Sequence, residues 1–234
     1  MSPPLYWIST KRLADHFPEV QEALKHPNGL LAAGGDLGTE RLLNAYRRGI
    51  FPWYEEGQPI LWWSPDPRTV IFTRQFKISR SLRRTLRSGC FEFTLDKDFP
   101  AVIRACAAPR PNSTGTWLTE DMITAYCRLH EKQHAHSVEC WHEGRLVGGL
   151  YGVAIGSVFF GESMFSRMSN ASKCCLAKLT QHLLDCDYQL VDCQIYSEHL
   201  ERLGARRLLR SEFIRLLNVW CPAAPSPKAW HTDL

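Results

Sequence analysis

An uncharged stretch of 16 residues, LVGGLYGVAIGSVFFG at positions 146–161, constrains the fold of this chain more than any other segment. It lies between Arg145 and Glu162 and contains five glycines. A helix needs about 20 apolar residues to cross a bilayer, and glycines interrupt helices. The stretch is therefore too short and too rich in glycine for a membrane span, and it predicts buried strands joined by a turn.

The segments on both sides extend this pattern into a sheet. HSVECWH at 136–142 leads through a turn into the uncharged stretch, which predicts consecutive antiparallel strands. A helix is predicted at 171–187, where leucines recur on one face, followed by a strand at 188–196 and a short helix at 197–205. This order predicts an α+β domain around a mostly antiparallel sheet.

The first 75 residues have a different composition, rich in Pro, Gly and Trp. A helix is predicted at 39–48, with Thr39 as its cap and Gly49 at its end. Residues 50–68 carry four prolines and three tryptophans, which favour short strands and exposed loops. We expect a small N-terminal α/β domain over residues 1–75 and a second domain over residues 76–234.

Cysteine usage and charge indicate the compartment and the kind of partner. The nine cysteines are odd in number and form no CxxC pair, which favours free thiols in a reducing compartment. The N-terminus lacks the basic and apolar regions of a signal peptide, so we predict a cytoplasmic protein without a membrane partner. A net charge of +4 permits a polyanionic partner where basic residues cluster.

One predicted helix carries such a cluster. Arg80, Arg83, Arg84 and Arg87 are spaced to share a helix face, and residues 77–91 contain no acid. Two interpretations stay open at this point. The face is either an ordinary solvated surface or a stripe that binds the phosphates of a nucleic acid.

Tryptophans flank this helix in the sequence. Trp53, Trp62 and Trp63 precede it, and Trp117 follows a loop at 108–115 that we expect to cross between domains. Core packing is one interpretation of these side chains. The other is a set of aromatic planes that hold the end of a single-stranded RNA by stacking.

Three polar residues interrupt apolar strands. Asp192 and Gln194 lie on one side of a predicted strand, and Glu162 ends the uncharged stretch. Polar groups of this kind need partners when they are buried. Either Asp192 pairs with an arginine for structural reasons, or these groups orient a cationic or amine substrate.

A zinc-protease pattern, H-E-x-x-H, occurs at residues 130–134. A strand pattern begins directly after the second histidine, so we interpret the match as accidental and predict no metal. The chain has no GxxxxGK[ST] or GxGxxG loop, which disfavours ATP and dinucleotide chemistry, and we predict no cofactor.

Seven blocks of the sequence resemble, in order, the leucyl/phenylalanyl-tRNA–protein transferase family. The blocks read HPNGLLAAGGDL, AYRRGIFPWY, ILWWSPDPR, ISRSLRR, GTWLTEDMITAYCRLHEKQHAHSVECW, LVGGLYGVAIGSVFFGESMFSRMSNASK and LVDCQIYSEHLERLGA, and the resemblance covers roughly residues 25–217. The resemblance implies a C-terminal domain similar to the GNAT-like acyltransferase fold. It implies a monomer that moves Leu or Phe, and Met less well, from leucyl-, phenylalanyl- or methionyl-tRNA to proteins with N-terminal Lys or Arg. That transfer marks the acceptor for degradation by the N-end rule.

The resemblance also implies roles for individual residues. Trp53 and Trp117 are expected to hold the 3′-terminal adenosine of the tRNA. Asp192 is expected to assist the incoming amine and Gln194 to relay or position it, while Glu162 either attracts the acceptor or orients the donor. The four arginines match the tRNA-binding helix of the family. The expected pocket for the transferred side chain consists of Leu150, Phe159, Met164, Leu179, Leu183 and Val191.

The chain departs from the familiar family pattern at three of these pocket positions. Leu150, Leu179 and Leu183 stand where we expect a methionine and two phenylalanines. Because a methylene-sized difference in an apolar pocket is worth about 1–3 kcal/mol, the ranking of Leu, Phe and Met could change.

Two other functions compete with this interpretation. An acetyl-CoA-dependent N-acetyltransferase would need a pyrophosphate-binding glycine loop before a helix, and the glycines after Arg145 stay within strands. A non-catalytic RNA-binding module would explain the arginines and tryptophans but not the polar residues in apolar strands.

Overall fold

The computed structural model describes residues 5–11, 13–109, 118–226 and 229–230. Its α-helices and strands, in chain order, are β1 (Tyr6–Ile8), β2 (Leu30–Gly34), α1 (Thr39–Arg47), β3 (Phe51–Pro52), β4 (Leu61–Trp63), β5 (Arg68–Phe72), α2 (Arg80–Arg87), β6 (Glu92–Leu95), α3 (Phe99–Ala107), α4 (Glu120–Glu131), β7 (Ala135–His142), β8 (Arg145–Ile155), β9 (Val158–Ser166), α5 (Ala171–Asp185), β10 (Leu190–Gln194), α6 (Glu198–Arg202), β11 (Arg206–Leu208) and α7 (Arg210–Trp220).

The N-terminal part forms a sheet of four described strands in the order β1-β2-β4-β3, in which only the pair β1 and β2 is parallel. Helix α1 follows β2 and confirms the helix predicted at 39–48. Its cap is Gly38 rather than Thr39, and the chain leaves the helix through Gly49, which has a φ of +72°. This helix places Tyr46 in the core with no exposed surface.

The larger sheet has seven described strands in the order β11-β5-β10-β9-β8-β7-β6. All its neighbours are antiparallel except β9 and β10. The strands predicted before, within and after the uncharged stretch are β7, β8 and β9, and α5, β10 and α6 follow as predicted. The α+β class with a mostly antiparallel sheet is therefore confirmed.

The two faces of this sheet bury different side chains. Helix α5 covers one face, where it packs with Leu150 and Phe159. Helices α3 and α4 cover the opposite face, together with Tyr151 and Phe160. Consecutive residues of one strand thus place their side chains on opposite faces of the sheet, as the two-residue period of a strand requires.

Strand β5 joins the larger sheet although it lies within the first 75 residues. It pairs with β10 on one side and β11 on the other, whereas β4, which ends at Trp63, belongs to the smaller sheet. The chain thus passes from one sheet to the other between Trp63 and Arg68. A domain boundary at residue 75 stays a prediction.

Two further sequence features can be placed in the described residues. No helix there is both long and apolar enough to span a membrane. The nine cysteines all lie in the described part of the chain and are free thiols.

Candidate active site

The site lies where two parallel strands separate. The pairing of β10 with β9 runs from Leu190 to Asp192, opposite Val158 to Phe160, while β9 continues beside β8 as far as Ser166. Strand β10 then shifts its register against β5 between Asp192 and Gln194. An opening results, and the structure brings Glu162, Asp192 and Gln194 together at it, as expected from the sequence.

Asp192 is held by a buried arginine. Its two carboxylate oxygens accept hydrogen bonds from Arg68 Nε at 2.8 Å and Arg68 Nη2 at 2.6 Å, and the exposed fractions of the two side chains are 0% and 1%. The guanidinium carbon lies 4.7 Å from the ring centre of Phe51 and 4.8 Å from that of Phe213. This bidentate pair between aromatic rings leaves the carboxylate little freedom to move.

Gln194 connects this ion pair to Glu162. Its backbone N–H donates to Asp192 Oδ1 at 2.9 Å, and its side-chain amide donates to Glu162 Oε1 at 2.8 Å. Gln194 adopts a φ of +60°, a left-handed conformation that is unusual for a residue other than glycine. The hydrogen bond from its backbone to Asp192 supports this conformation and directs the amide to Glu162.

Two tyrosines complete the surroundings of Glu162. Tyr46 Oη donates to Glu162 Oε1 and Tyr126 Oη donates to Glu162 Oε2, both at 2.8 Å. The two hydroxyls also form a short hydrogen bond with each other. Tyr46 comes from α1 and Tyr126 from α4, so two helices converge on one carboxyl group of β9.

A count of protons shows which state of Glu162 this arrangement favours. Three hydrogen-bonded contacts link the hydroxyls of Tyr46 and Tyr126 and the carboxyl of Glu162, but each tyrosine carries one hydroxyl proton. Burial raises the pKa of both tyrosines well above 10.0, so neither is ionised near neutral pH. Each of the three contacts can contain a proton only when Glu162 is protonated, because its carboxyl then supplies the third proton.

The pKa of Glu162 is also raised, and the main cause is burial rather than the tyrosine contacts. Burial raises it from 4.5 to about 7, and the negative charge of Asp192 adds to the rise. Hydrogen bonds from Tyr46 and Tyr126 and the positive charge of Arg68 oppose the rise without cancelling it. Near neutral pH, Glu162 can therefore both accept and release a proton.

An apolar cavity of about 280 Å³ adjoins Glu162 and Asp192 on the α5 side of the sheet. Of the six residues expected to form the pocket, five line it: Leu150, Phe159, Met164, Leu179 and Val191. Leu183 is fully buried one turn farther along α5 and does not line it. Leu176 of α5 and Leu200 of α6 line it as well.

Glu162 also lines a second, smaller hollow. Its volume is about 150 Å³, and Phe51, Trp53, Gln194 and Ile195 contribute to its walls. Trp53 is 39% exposed, as a ligand-facing aromatic should be.

The other predicted aromatic positions divide into three cases. Trp62 is fully buried and donates to the carbonyl of Gly34, so it is a core residue. Trp63 packs against Trp53 at 5.5 Å and donates to its backbone carbonyl at 2.6 Å. Trp117 lies outside the described residues, as does most of the loop at 108–115.

The arginine stripe lies on α2. Ser79 caps the start of this helix, and its side chain accepts a hydrogen bond from the backbone N–H of Leu82. Leu82 is buried and packs the helix against the rest of the protein, while all four arginines are exposed. Among the described residues no acidic side chain forms an ion pair with them. Their charge is therefore available to an anionic partner.

The histidines of the zinc-protease pattern have other contacts. Helix α4 ends at Glu131, before His134, so the two histidines are not one helical turn apart. His130 stacks on Phe99 with ring centres 4.4 Å apart, and its Nδ1 lies 2.8 Å from the carbonyl of Ala135. Within the described part of the chain no group of three or more His, Cys, Asp or Glu side chains could hold a metal ion.

Sequence reasoning did not identify Arg68, Tyr46 or Tyr126 as members of the site. A signal for the arginine existed, because an aspartate in an apolar strand requires a cation nearby. The tyrosines gave no such signal. Each lies on the apolar face of an amphipathic helix, where an aromatic side chain is expected in the core.

Two family models match the chain. One is described as leucyl/phenylalanyl-tRNA protein transferase and matches residues 70–218, and the other is described as its N-terminal domain and matches residues 35–66. The leucyl/phenylalanyl-tRNA–protein transferase of Pseudomonas putida (strain W619) is 56% identical over 209 residues, which are 89% of this chain and 92% of the relative. That of Cellvibrio japonicus (strain Ueda107) is 56% identical over 211 residues, which are 90% of this chain and 89% of the relative.

Solved structures show a weaker likeness. A GCN5-related N-acetyltransferase from Kribbella flavida has 11% identity and a TM-score of 0.38, covering 69% of this chain and 58% of that chain. The L-PGS structure from Bacillus licheniformis has 14% identity and a TM-score of 0.37, covering 70% and 55%. TM-scores this low carry no argument about activity.

Proposed function

Because the chain belongs to the leucyl/phenylalanyl-tRNA–protein transferase family and is an aminoacyltransferase, we propose that it moves Leu or Phe, and Met less well, from aminoacyl-tRNA to proteins that begin with Lys or Arg. The product is marked for degradation by the N-end rule, and the enzyme acts in the cytoplasm as a monomer. One observation carries the proposal: Glu162 lines both an apolar cavity and a smaller hollow with aromatic walls.

The two hollows fit the two ends of an aminoacyl ester. The larger one receives the side chain of the amino acid, because most of its lining residues are aliphatic or aromatic. The smaller one receives the terminal adenosine, which stacks on Trp53. The ester carbonyl then lies between them, close to Glu162 and the amide of Gln194.

The reaction needs positioning and one proton acceptor. The neutral α-amine of the acceptor attacks the ester carbonyl carbon, a C–N bond forms, and the bond between that carbon and the 3′ oxygen of the tRNA breaks. The amine loses a proton to Glu162, and Glu162 returns a proton to the departing 3′ oxygen, so no proton is gained or lost overall. A carboxyl with a pKa of about 7 suits both transfers. The ester is already activated, so no ATP is consumed.

We assign Asp192 a positioning role within this mechanism. Both its oxygens are occupied by Arg68, and Oδ1 also accepts the backbone N–H of Gln194. Asp192 is fully buried in this ion pair and, unlike Glu162, does not line the smaller hollow, so it acts through Gln194, whose amide it directs to Glu162. This refines the expectation that Asp192 assists the amine directly.

The tRNA body is held by the arginines of α2. These side chains are exposed, share a face and have no acidic partner among the described residues, which supports contacts to phosphates. The rule that acceptors begin with Lys or Arg rests on family membership.

The test follows a peptide by mass. The purified chain is incubated with phenylalanyl- or leucyl-tRNA and a peptide that begins with Arg, without ATP or added metal. We expect a gain of one Phe or Leu residue and no gain on a matched peptide that begins with Ala. Binding of the tRNA without any gain in mass would contradict the proposal.

A variant connects this assay to the site. Glu162→Gln keeps the shape of the side chain but removes the titrating group, so transfer should fall by about 100-fold, the lower end of the range for a general base. Glu131→Gln, on the exposed end of α4, is the matched control and should transfer normally. Equal activity of both variants would remove Glu162 from the mechanism.

A further inference from the structure

The last described residues of the chain, Ala229 and Trp230, pack against the layer that contains the apolar cavity. The indole of Trp230 stacks face to face on His136, with ring centres 3.9 Å apart and an angle of 7° between the planes. Its Nε1–H donates to the hydroxyl of Tyr188 at 2.9 Å. The carbonyl of Ala229 lies 2.5 Å from His182 Nε2. Contacts from β7, from α5 and from the segment before β10 therefore fix this indole in place.

The support under the indole is itself rigid. His136 is 1% exposed, and its Nδ1 lies 2.6 Å from Asp96 Oδ2. Asp96 in turn accepts the backbone N–H of Ser137 at 2.7 Å. The imidazole thus cannot turn away from the indole without losing its hydrogen bond to Asp96 in a buried place.

The register of the sheet shows how Trp230 is placed relative to the cavity. His136, Gly152 and Gly161 lie directly opposite one another on β7, β8 and β9, and they share a face of the sheet. Trp230 covers His136, the ring of Phe159 covers Gly152, and Gly161 lines the cavity. Along this row, the ring of Phe159 therefore lies between Trp230 and the cavity.

Phe159 is held between its neighbours in this row. A Cβ atom on Gly152 would lie 2.5 Å from Phe159 Cε1, so the ring rests directly on the backbone of β8. The centre of the Trp230 ring lies 5.8 Å from that of Phe159, and Phe159 is 1% exposed. The phenyl ring cannot retreat from the cavity while the indole is present, because well-packed interiors have no spare volume.

We propose that Trp230 is a specificity-determining positioning residue: it supports Phe159 from behind and so sets the depth of the pocket for the transferred amino acid. This inference rests on the proposed function of the cavity. Removal of the indole leaves room into which Phe159 moves, the cavity deepens, and the larger side chain of Phe gains over that of Leu.

A competition assay tests the inference. Wild-type protein and the variants Trp230→Ala and Trp230→Phe receive equal amounts of leucyl- and phenylalanyl-tRNA together with a peptide that begins with Arg. The ratio of the two products gives the ratio of kcat/KM. We expect the Phe/Leu ratio to rise about tenfold in Trp230→Ala, the lower end for a change of one methylene in such a pocket. The KM for the acceptor peptide should not change.

Further variants separate a specific effect from a general loss of structure. Trp230→Phe keeps a ring on His136, so it should fold even if Trp230→Ala does not, and its ratio should shift in the same direction by less. In a Phe159→Leu background the Trp230→Phe change should shift the ratio little, because the effect passes through Phe159. Trp220→Phe, which alters a tryptophan packed on Phe72 in the other layer, is the control and should keep the wild-type ratio.

The possible results of these assays distinguish the role of Trp230 from the proposed function. An unchanged Phe/Leu ratio in both Trp230 variants, with the wild type active, would overturn the role of Trp230 and leave the proposed function standing. An equal shift with and without Phe159 would also overturn it. A wild-type protein that transfers neither amino acid would overturn the proposed function and this inference together.

Discussion

The raised pKa of Glu162 should make the stability of the fold depend on pH in an unusual direction. In the unfolded chain this carboxyl titrates near 4.5, and in the folded protein it titrates near 7. Between these values the folded state holds a proton that the unfolded state has lost, so the free energy of unfolding falls as pH rises. A difference of 2.5 pH units (7 minus 4.5) at 1.36 kcal/mol per unit amounts to about 3 kcal/mol. Partial contact with water at the opening makes this an upper value.

Urea unfolding at several pH values between 4.5 and 8 measures this dependence. Glu162→Gln removes the titrating proton, so the stability of wild type relative to this variant should be greatest at pH 4.5. It should decline by up to about 3 kcal/mol as pH rises through 7. Glu131→Gln is the control and should follow the wild-type curve. Parallel curves for wild type and Glu162→Gln would refute the reasoning, because they would show that Glu162 titrates alike in both states.

Three further predictions concern other parts of the site. Arg68→Ala leaves its buried carboxylate partner without a counter-charge and should lower the free energy of unfolding by about 3–5 kcal/mol in urea unfolding at pH 7; a loss under 1 kcal/mol would show that the pair is open to water. The double change Arg83→Ala and Arg84→Ala should lower kcat/KM for leucyl-tRNA and phenylalanyl-tRNA equally. If each arginine contacts a single-stranded phosphate, the slope of log kcat/KM against log salt should fall in magnitude by about 1.4. A loss of activity with only one of the two aminoacyl-tRNAs would contradict a phosphate role. Leu179→Phe places a ring in the cavity and should favour Leu over Phe in the competition assay by about tenfold, whereas Leu183→Phe, outside the cavity wall, should not; equal shifts would show that the cavity is not the amino-acid pocket.

The fold was largely predictable because its signals are local. The uncharged stretch predicts β8 and β9, the leucine spacing predicts α5, and the basic run predicts α2. Each of these elements is specified by neighbours within a few residues. The placement of β5 in the larger sheet was not predictable in this way, because its partners β10 and β11 lie more than 100 residues away.

The candidate site shows the same division. The polar interruptions of apolar strands single out Glu162, Asp192 and Gln194, and they show that such groups need partners when buried. Which arginine pairs with Asp192 depends on tertiary structure, since Arg68 is separated from Asp192 by 124 residues. The support of Phe159 by Trp230 is equally invisible in the pattern, because the C-terminal segment has neither helix nor strand periodicity.

The chemistry of Glu162 is a property of packing more than of the residue itself. Its partners come from three elements: Tyr46 from α1, Tyr126 from α4 and Gln194 from β10. With Glu162 ionised, the short contact between the two tyrosine oxygens has no proton, because both hydroxyl protons already serve the carboxylate. This contact favours the protonated carboxyl, while the main cause of the raised pKa of Glu162 is burial, which outweighs the opposing hydrogen bonds from the two tyrosines. In the proposed mechanism, the stability lost at neutral pH is the physical consequence of the same burial that gives Glu162 a pKa suited to proton transfer.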